Sequence, residues 1–216
     1  MTASAGSGPW PVVAALALLP VLSVPAGAGY RQGETVRVEG RVADAAGRPL
    51  PGLKVSFEAA RSRLSVRKLR TVDRHPTAVA TTTGEDGEYR FTWSWHDFYN
   101  RFAVEVFLRD PASDGGWRSL QRLDLSRRMT QGSPVVADLQ VEADEAVERH
   151  LAFWTTLATE AEREAFREMG APDRTDRLSA AGREEVTWWY FRVGRAYRFV
   201  DGQLDEIARF DPVEAF

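Results

Sequence analysis

No cysteine occurs in the chain, which excludes disulfides, thiolate nucleophiles, cysteine metal sites and a lipid-modified N-terminal cysteine. Lysine is nearly as scarce. Lys54 and Lys68 stand alone, so arginine carries almost all of the positive charge. A formal net charge of -3 gives no electrostatic footprint for nucleic acid, and no such partner is expected. Histidine is limited to His75, His96 and His150, no two of them at i, i+2 or i, i+4. A helical His-Glu-x-x-His metal site is therefore excluded. A Gly-x-Ser-x-Gly nucleophile elbow and a phosphate-binding Gly-rich loop ending in Lys are missing too. Glu160 and Glu164 share a helix face, where a solvated, charge-laced surface is the plainer reading than a carboxylate pair. His96-Asp97 has no partner nucleophile nearby in sequence. No enzymatic role and no cofactor are expected.

What is present begins with an apolar run over residues 12–24, interrupted only by Pro20 and Ser23. It is shorter than the roughly 20 residues that span a bilayer. It fits the roughly 7–15 residues of a signal-peptide core. Ala26-Gly27-Ala28 supplies a small-x-small cleavage site, although residues 1–10 lack Lys and Arg. The spacing predicts a signal peptide over 1–28, cleavage after Ala28, and an exported mature chain, periplasmic or extracellular, with no stable membrane anchor. A short anchor or a buried helix is the alternative.

From Thr35 the hydrophobic period becomes two. Val36, Val38 and Val42 alternate with Arg37, Glu39 and Arg41, and Leu53, Val55 and Phe57 with Lys54, Ser56 and Glu58. Gly47, Pro49, Pro51 and Gly52 mark the turn between them. Gly84-Glu85-Asp86-Gly87 reads as a hairpin turn, followed by alternating Tyr89, Phe91, Trp93 and Trp95. Further strands are predicted through Phe102, Val104, Val106 and Leu108, and through Val135, Ala137, Leu139 and Val141. Strands that are apolar on one face must stack in two sheets, which predicts an immunoglobulin-like or transthyretin-like β-sandwich over 29–142.

Val38-Glu39-Gly40-Arg41-Val42, then Gly47-Arg48-Pro49-Leu50-Pro51-Gly52-Leu53-Lys54-Val55, and residues 83–91 beginning at Thr83, resemble a carboxypeptidase regulatory-like domain. Gly84 stands where that family often has Asp. The resemblance spans roughly 35–142 and implies a transthyretin-like module of the kind exported bacterial proteins carry for adhesion, spacing or folding support. Its motifs describe turns and strands and imply no activity.

Two clusters within this unit are candidate binding sites. Arg61, Arg63, Arg67, Lys68, Arg70 and Arg74 are opposed only by Asp73. They form either a site for an anionic polymer or the wet side of an extended hairpin with Leu64, Val66 and Leu69 opposite. The aromatic stretch around Trp95 offers Phe98 and Tyr99, and farther along Trp117, as platforms for sugar rings. Trp93 and Trp95 share the core parity of Phe91.

Residues 143–216 read as a small α+β unit. Val147, Leu151, Trp154, Ala158, Ala161, Ala165 and Met169 form one stripe over 144–169, and Thr159 with Glu162 is a capping box that divides it into a helix pair. Gly170 and Pro172 stop it. A polar loop and a three-stranded antiparallel meander over 186–193, 196–200 and 203–210 follow, with the helices on one face. Met169-Gly170-Ala171-Pro172-Asp173, Trp189-Tyr190 and Phe199-Val200-Asp201-Gly202-Gln203-Leu204 resemble the small outer-membrane lipoprotein of the β-barrel assembly machinery. That resemblance covers roughly 144–211. The lipid-bearing cysteine is absent, so only the architecture carries over.

Together these features predict an exported, non-enzymatic envelope or secreted protein that binds another protein. The alternative is a protein that binds carbohydrate or an anionic surface polymer. The oligomeric state is left open.

Overall fold

The computed structural model describes residues 29–65, 70–110, 113 and 116–213. The predicted signal peptide and its cleavage point at Ala28 lie outside the described residues. So do Val66, Arg67, Lys68 and Leu69. The chain is mainly β, with twelve strands and two α-helices among the described residues.

The first eight strands build two facing sheets. One holds β4 (Glu88–Ser94), β1 (Thr35–Asp44) and, along the far edge of β1, the short parallel strands β7 (Val135–Val136) and β8 (Leu139–Val141). The other runs β3 (Arg70–Thr82), β2 (Lys54–Ser65), β5 (Arg101–Arg109) and β6 (Trp117–Asp124), all antiparallel. The period-two residues face inward as their spacing predicts. Val36, Val38 and Val42 from one sheet share a core with Val55, Phe57, Val104 and Val106 from the other. Phe57 meets Phe91 across the gap with ring centres 5.9 Å apart. Burying such alternating apolar faces is what holds two sheets together.

Two local readings are corrected. Gly84-Glu85-Asp86-Gly87 is a tight turn, with Gly87 at φ 74°, but it joins strands of different sheets and is not a hairpin. Thr83 directs the crossing. Its Oγ1 donates to the Leu50 carbonyl at 2.7 Å and accepts from the Leu53 amide at 2.9 Å, pinning the end of β3 to the other turn. The predicted strand through Val135 and Val141 is split into β7 and β8. Asp138 lies between them and its carboxylate accepts the Arg41 amide at 2.9 Å, occupying a ladder position that a strand carbonyl would otherwise fill. All four apolar residues of that segment are nonetheless buried.

The helical stretch is two helices, α1 (Glu145–Trp154) and α2 (Glu160–Met169), divided where the capping box predicts. Thr159 caps α2 and its own backbone amide donates to Glu162 at 2.9 Å. Two orphan amides are thereby satisfied. The apolar stripe does not run straight across the break. Leu157 is buried there while Ala158 is exposed, because the chain turns between the helices. Phe153 and Phe166, outside the predicted stripe, stack with ring centres 5.5 Å apart.

The C-terminal sheet has four strands and not three, in the order β12 (Gln203–Arg209), β11 (Arg195–Val200), β10 (Arg183–Tyr190), β9 (Arg174–Ala180). β9 occupies the predicted polar loop. It is wet on both faces, so it carries no alternating signal, and backbone pairing with β10 alone makes it a strand. Val186, Trp188, Tyr190, Tyr197 and Phe199 form the buried face, against Leu157, Ala165, Phe166 and Met169. Helix α1 serves both cores. Val147 and Leu151 join the sandwich, while Phe153 and Trp154 pack with the second cluster.

Candidate functional site

The predicted binding residues separate into two places. At one end of the sandwich, Arg61 lies at a bulge in the β2–β3 pairing, next to the turn after β4. Its Nη1 donates to the Phe98 carbonyl at 2.9 Å and its guanidinium lies 5.8 Å from the Phe98 ring centre. Phe98 meets Tyr99 edge-on at 5.2 Å, and Tyr99 meets Trp93 at 5.7 Å. His75 reaches the same Phe98 ring at 5.8 Å, a neighbour that sequence spacing did not reveal because it arrives from β3. Arg63 and Arg74 are exposed on the hairpin. Arg67 and the side chain of Arg70 lie outside what is described.

The core parity of Trp93 and Trp95 holds, and both are half-buried. Trp95 stacks on Phe102 at 5.4 Å and tilts against Tyr30 at 5.1 Å, and its indole N–H donates to Asp97 at 2.7 Å. Only Phe98, at 38% exposure, offers a substantial free aromatic surface in this cluster. The Phe98 amide donates to His96 Nδ1 at 3.0 Å. His96 and Asp97 are thus committed to holding an exposed turn together. Glu160 is likewise occupied, pairing with Arg167 at 2.6 Å.

Trp117 is elsewhere, at the opposite end of β2, beside Lys54 and Arg109. The sequence placed it in one class with Phe98, but the sheet holds the two apart.

Where the sandwich meets the helices, contact is close. His150 on α1 is almost fully buried and its Nε2 bonds the Pro51 carbonyl at 2.7 Å. A carbonyl only accepts, so this nitrogen carries the proton. Burial pushes the imidazole down to about pH 4, against a smaller upward pull from the Pro51 bond, so the ring is neutral at pH 7. Gly52 passes so near Trp154 that a Cβ there would lie 2.5 Å from Cζ3. Arg48 pairs with Glu148 across the seam, and Arg118 with Asp144 at 2.6 Å. Asp144 also caps α1. Arg118 and the helix amides hold its carboxyl down to about 2 despite some desolvation.

The open edge of the C-terminal sheet offers a different surface. Leu204 pairs with buried Phe199, and Ile207 with buried Tyr197, so both lie on the core face. Yet they are 42% and 47% exposed. On the other edge, the core-side positions of β9 are Thr175, Arg177 and Ser179, which finish the layer with polar groups.

Among the described residues no group of three or more His, Asp or Glu side chains is placed to hold a metal ion. No helix among them is long and apolar enough to cross a membrane. The chain matches no model of a known protein family and no curated protein significantly.

Proposed function

We propose that this chain is an exported, non-enzymatic binding protein, with residues 29–142 as a transthyretin-like β-sandwich and 143–216 as an α+β module that captures an extended polypeptide segment. The reading of export rests on the apolar run over 12–24 and the Ala26-Gly27-Ala28 triplet. The transthyretin-like kinship rests on the turn and strand motifs of β1, β2 and β4. The resemblance to the β-barrel assembly lipoprotein departs at β9, which adds a strand to the meander that family implies.

The observation that carries the binding role is the apolar layer that runs out at β12. A strand added there would satisfy the free edge of Gln203–Arg209 and cover Leu204 and Ile207 with its own alternating apolar side chains. The opposite edge is guarded by Arg177 on that face, which points to one strand site on this sheet.

The test is selection of displayed random peptides against the intact protein, followed by hydrogen exchange on the complex. Peptides with alternating apolar residues and no proline should slow exchange along β12. Replacing Leu204→Lys with Ile207→Lys should abolish this, with stability changed by no more than about 0.5 kcal/mol per site. Protection confined to another element, or a β12 edge found covered by a second copy of the chain, would overturn the proposal.

A further inference from the structure

A second surface, independent of β12, lies where the outer face of the sandwich meets α2. It is an open groove of about 260 Å³ whose lining includes Gly52, Lys54, Thr81, Thr82, Trp117 and Arg167, with no acidic residue. Lys54 Nζ lies 4.5 Å from the centre of Trp117 and 5.8 Å from that of Phe107. The Arg109 guanidinium, held by the Gly116 carbonyl at 2.7 Å, lies 5.1 Å from the same indole. Two cations therefore share one aromatic ring.

Their surroundings differ from the rest of this sheet face. Arg122 is neutralised by both Glu58 and Glu105, and Arg101 by Asp73 at 2.5 Å. Arg167 is matched by Glu160. Lys54 has ring contacts and no carboxylate partner among the described residues. An ammonium held by ring faces keeps its N–H donors available for an oxyanion.

We infer that this groove binds an acidic glycan, with Lys54 taking the carboxylate or sulfate and Trp117 packing against the sugar ring. The groove is smaller than the roughly 300 Å³ at which pockets begin to enclose a drug-sized ligand, and it is open, so it suits one ring of a chain lying across it. Thr81 and Thr82 supply hydroxyls for sugar hydroxyls. The positive charge of Lys54 and Arg109 favours an acidic sugar over a neutral one.

Titration calorimetry of the intact protein with trigalacturonate, a heparin-derived tetrasaccharide and maltotriose tests this, the first two separating carboxylate from sulfate. At least one acidic sugar should bind, more weakly as salt rises, and maltotriose should not. Lys54→Ala and Trp117→Ala should each weaken binding by about tenfold or more, while Arg37→Ala, at an exposed position on the other sheet, leaves it unchanged. Circular dichroism checks each fold, and Trp117→Phe replaces Trp117→Ala if the latter unfolds. The inference falls if neither acidic sugar binds or if Lys54→Ala binds as tightly as the parent. It also falls if inorganic sulfate competes fully while the Trp117 variants bind normally, because the sugar would then play no part.

Discussion

The sandwich and the C-terminal sheet begin from the same alternation and finish differently. In the sandwich the apolar faces of the inner strands meet another sheet, and Val36, Val38, Val55, Phe57, Val104 and Val106 are all sealed from solvent, while Val79, opposite Phe57 on the edge strand β3, is 38% exposed. In the C-terminal unit the apolar face meets only two ten-residue helices. Tyr197 and Phe199 on β11 are sealed, but exposure rises to nearly half at Leu204 and Ile207 on the next strand. A facing sheet closes the core over its inner strands, while a layer of two short helices leaves the whole apolar row of β12 open. That uncovered edge is where the proposed peptide would add.

The largest way to break the contrast is to hollow the sealed core. Phe57→Ala should cost about 3–5 kcal/mol in denaturant unfolding, because its neighbours Phe91 and Phe102 cannot collapse into the space. A much smaller loss would show that the sandwich is as loosely closed as the β12 edge.

The seam between the units is tested next through His150. Its folded pKa of about 4 lies below the unfolded value of 6.5, so the unfolded chain binds more protons between those limits. Stability is therefore retained above about pH 6.5 and falls by about 3 kcal/mol as pH drops toward 4. His150→Gln, which keeps an N–H donor for Pro51 without titrating there, should flatten that dependence. An unchanged pH profile would place the acid sensitivity elsewhere.

Gly52 sharpens the same seam sterically. Its φ of 72° is left-handed and its missing Cβ gives Trp154 room. Gly52→Ala should cost about 1–3 kcal/mol in thermal unfolding from backbone strain alone, with displacement of Trp154 adding to it. The smallest effect is expected inside the helical layer. Thr159→Ala removes the cap of α2 and should lower stability by about 1 kcal/mol in chemical denaturation. No change at all would mean that packing alone sets the start of that helix.

Much of the fold was legible because two local periods were clean. Val36, Val38 and Val42 mark a strand buried on one side, and Thr159 with Glu162 marks a helix start, since both depend on neighbours within a few residues. β9 was illegible because Arg174, Thr175, Asp176, Arg177 and Ser179 have no apolar face to alternate. The candidate sites were less legible. Phe98 and Trp117 look alike as aromatic residues, yet one joins Arg61 and His75 while the other joins Lys54 and Arg109.

By itself the sequence determined the alternating strands, the helix pair divided by the Thr159 capping box, the turns that need glycine, and the exclusion of every cysteine-based chemistry. These follow from side-chain type and spacing along a few residues. Tertiary structure decided which sheet each strand joins, that His150 is buried against Pro51, and that β12 ends its sheet with an uncovered apolar row. Such features arise from contacts between residues as much as a hundred positions apart, and hydrophobic period carries no record of which distant surface will meet it.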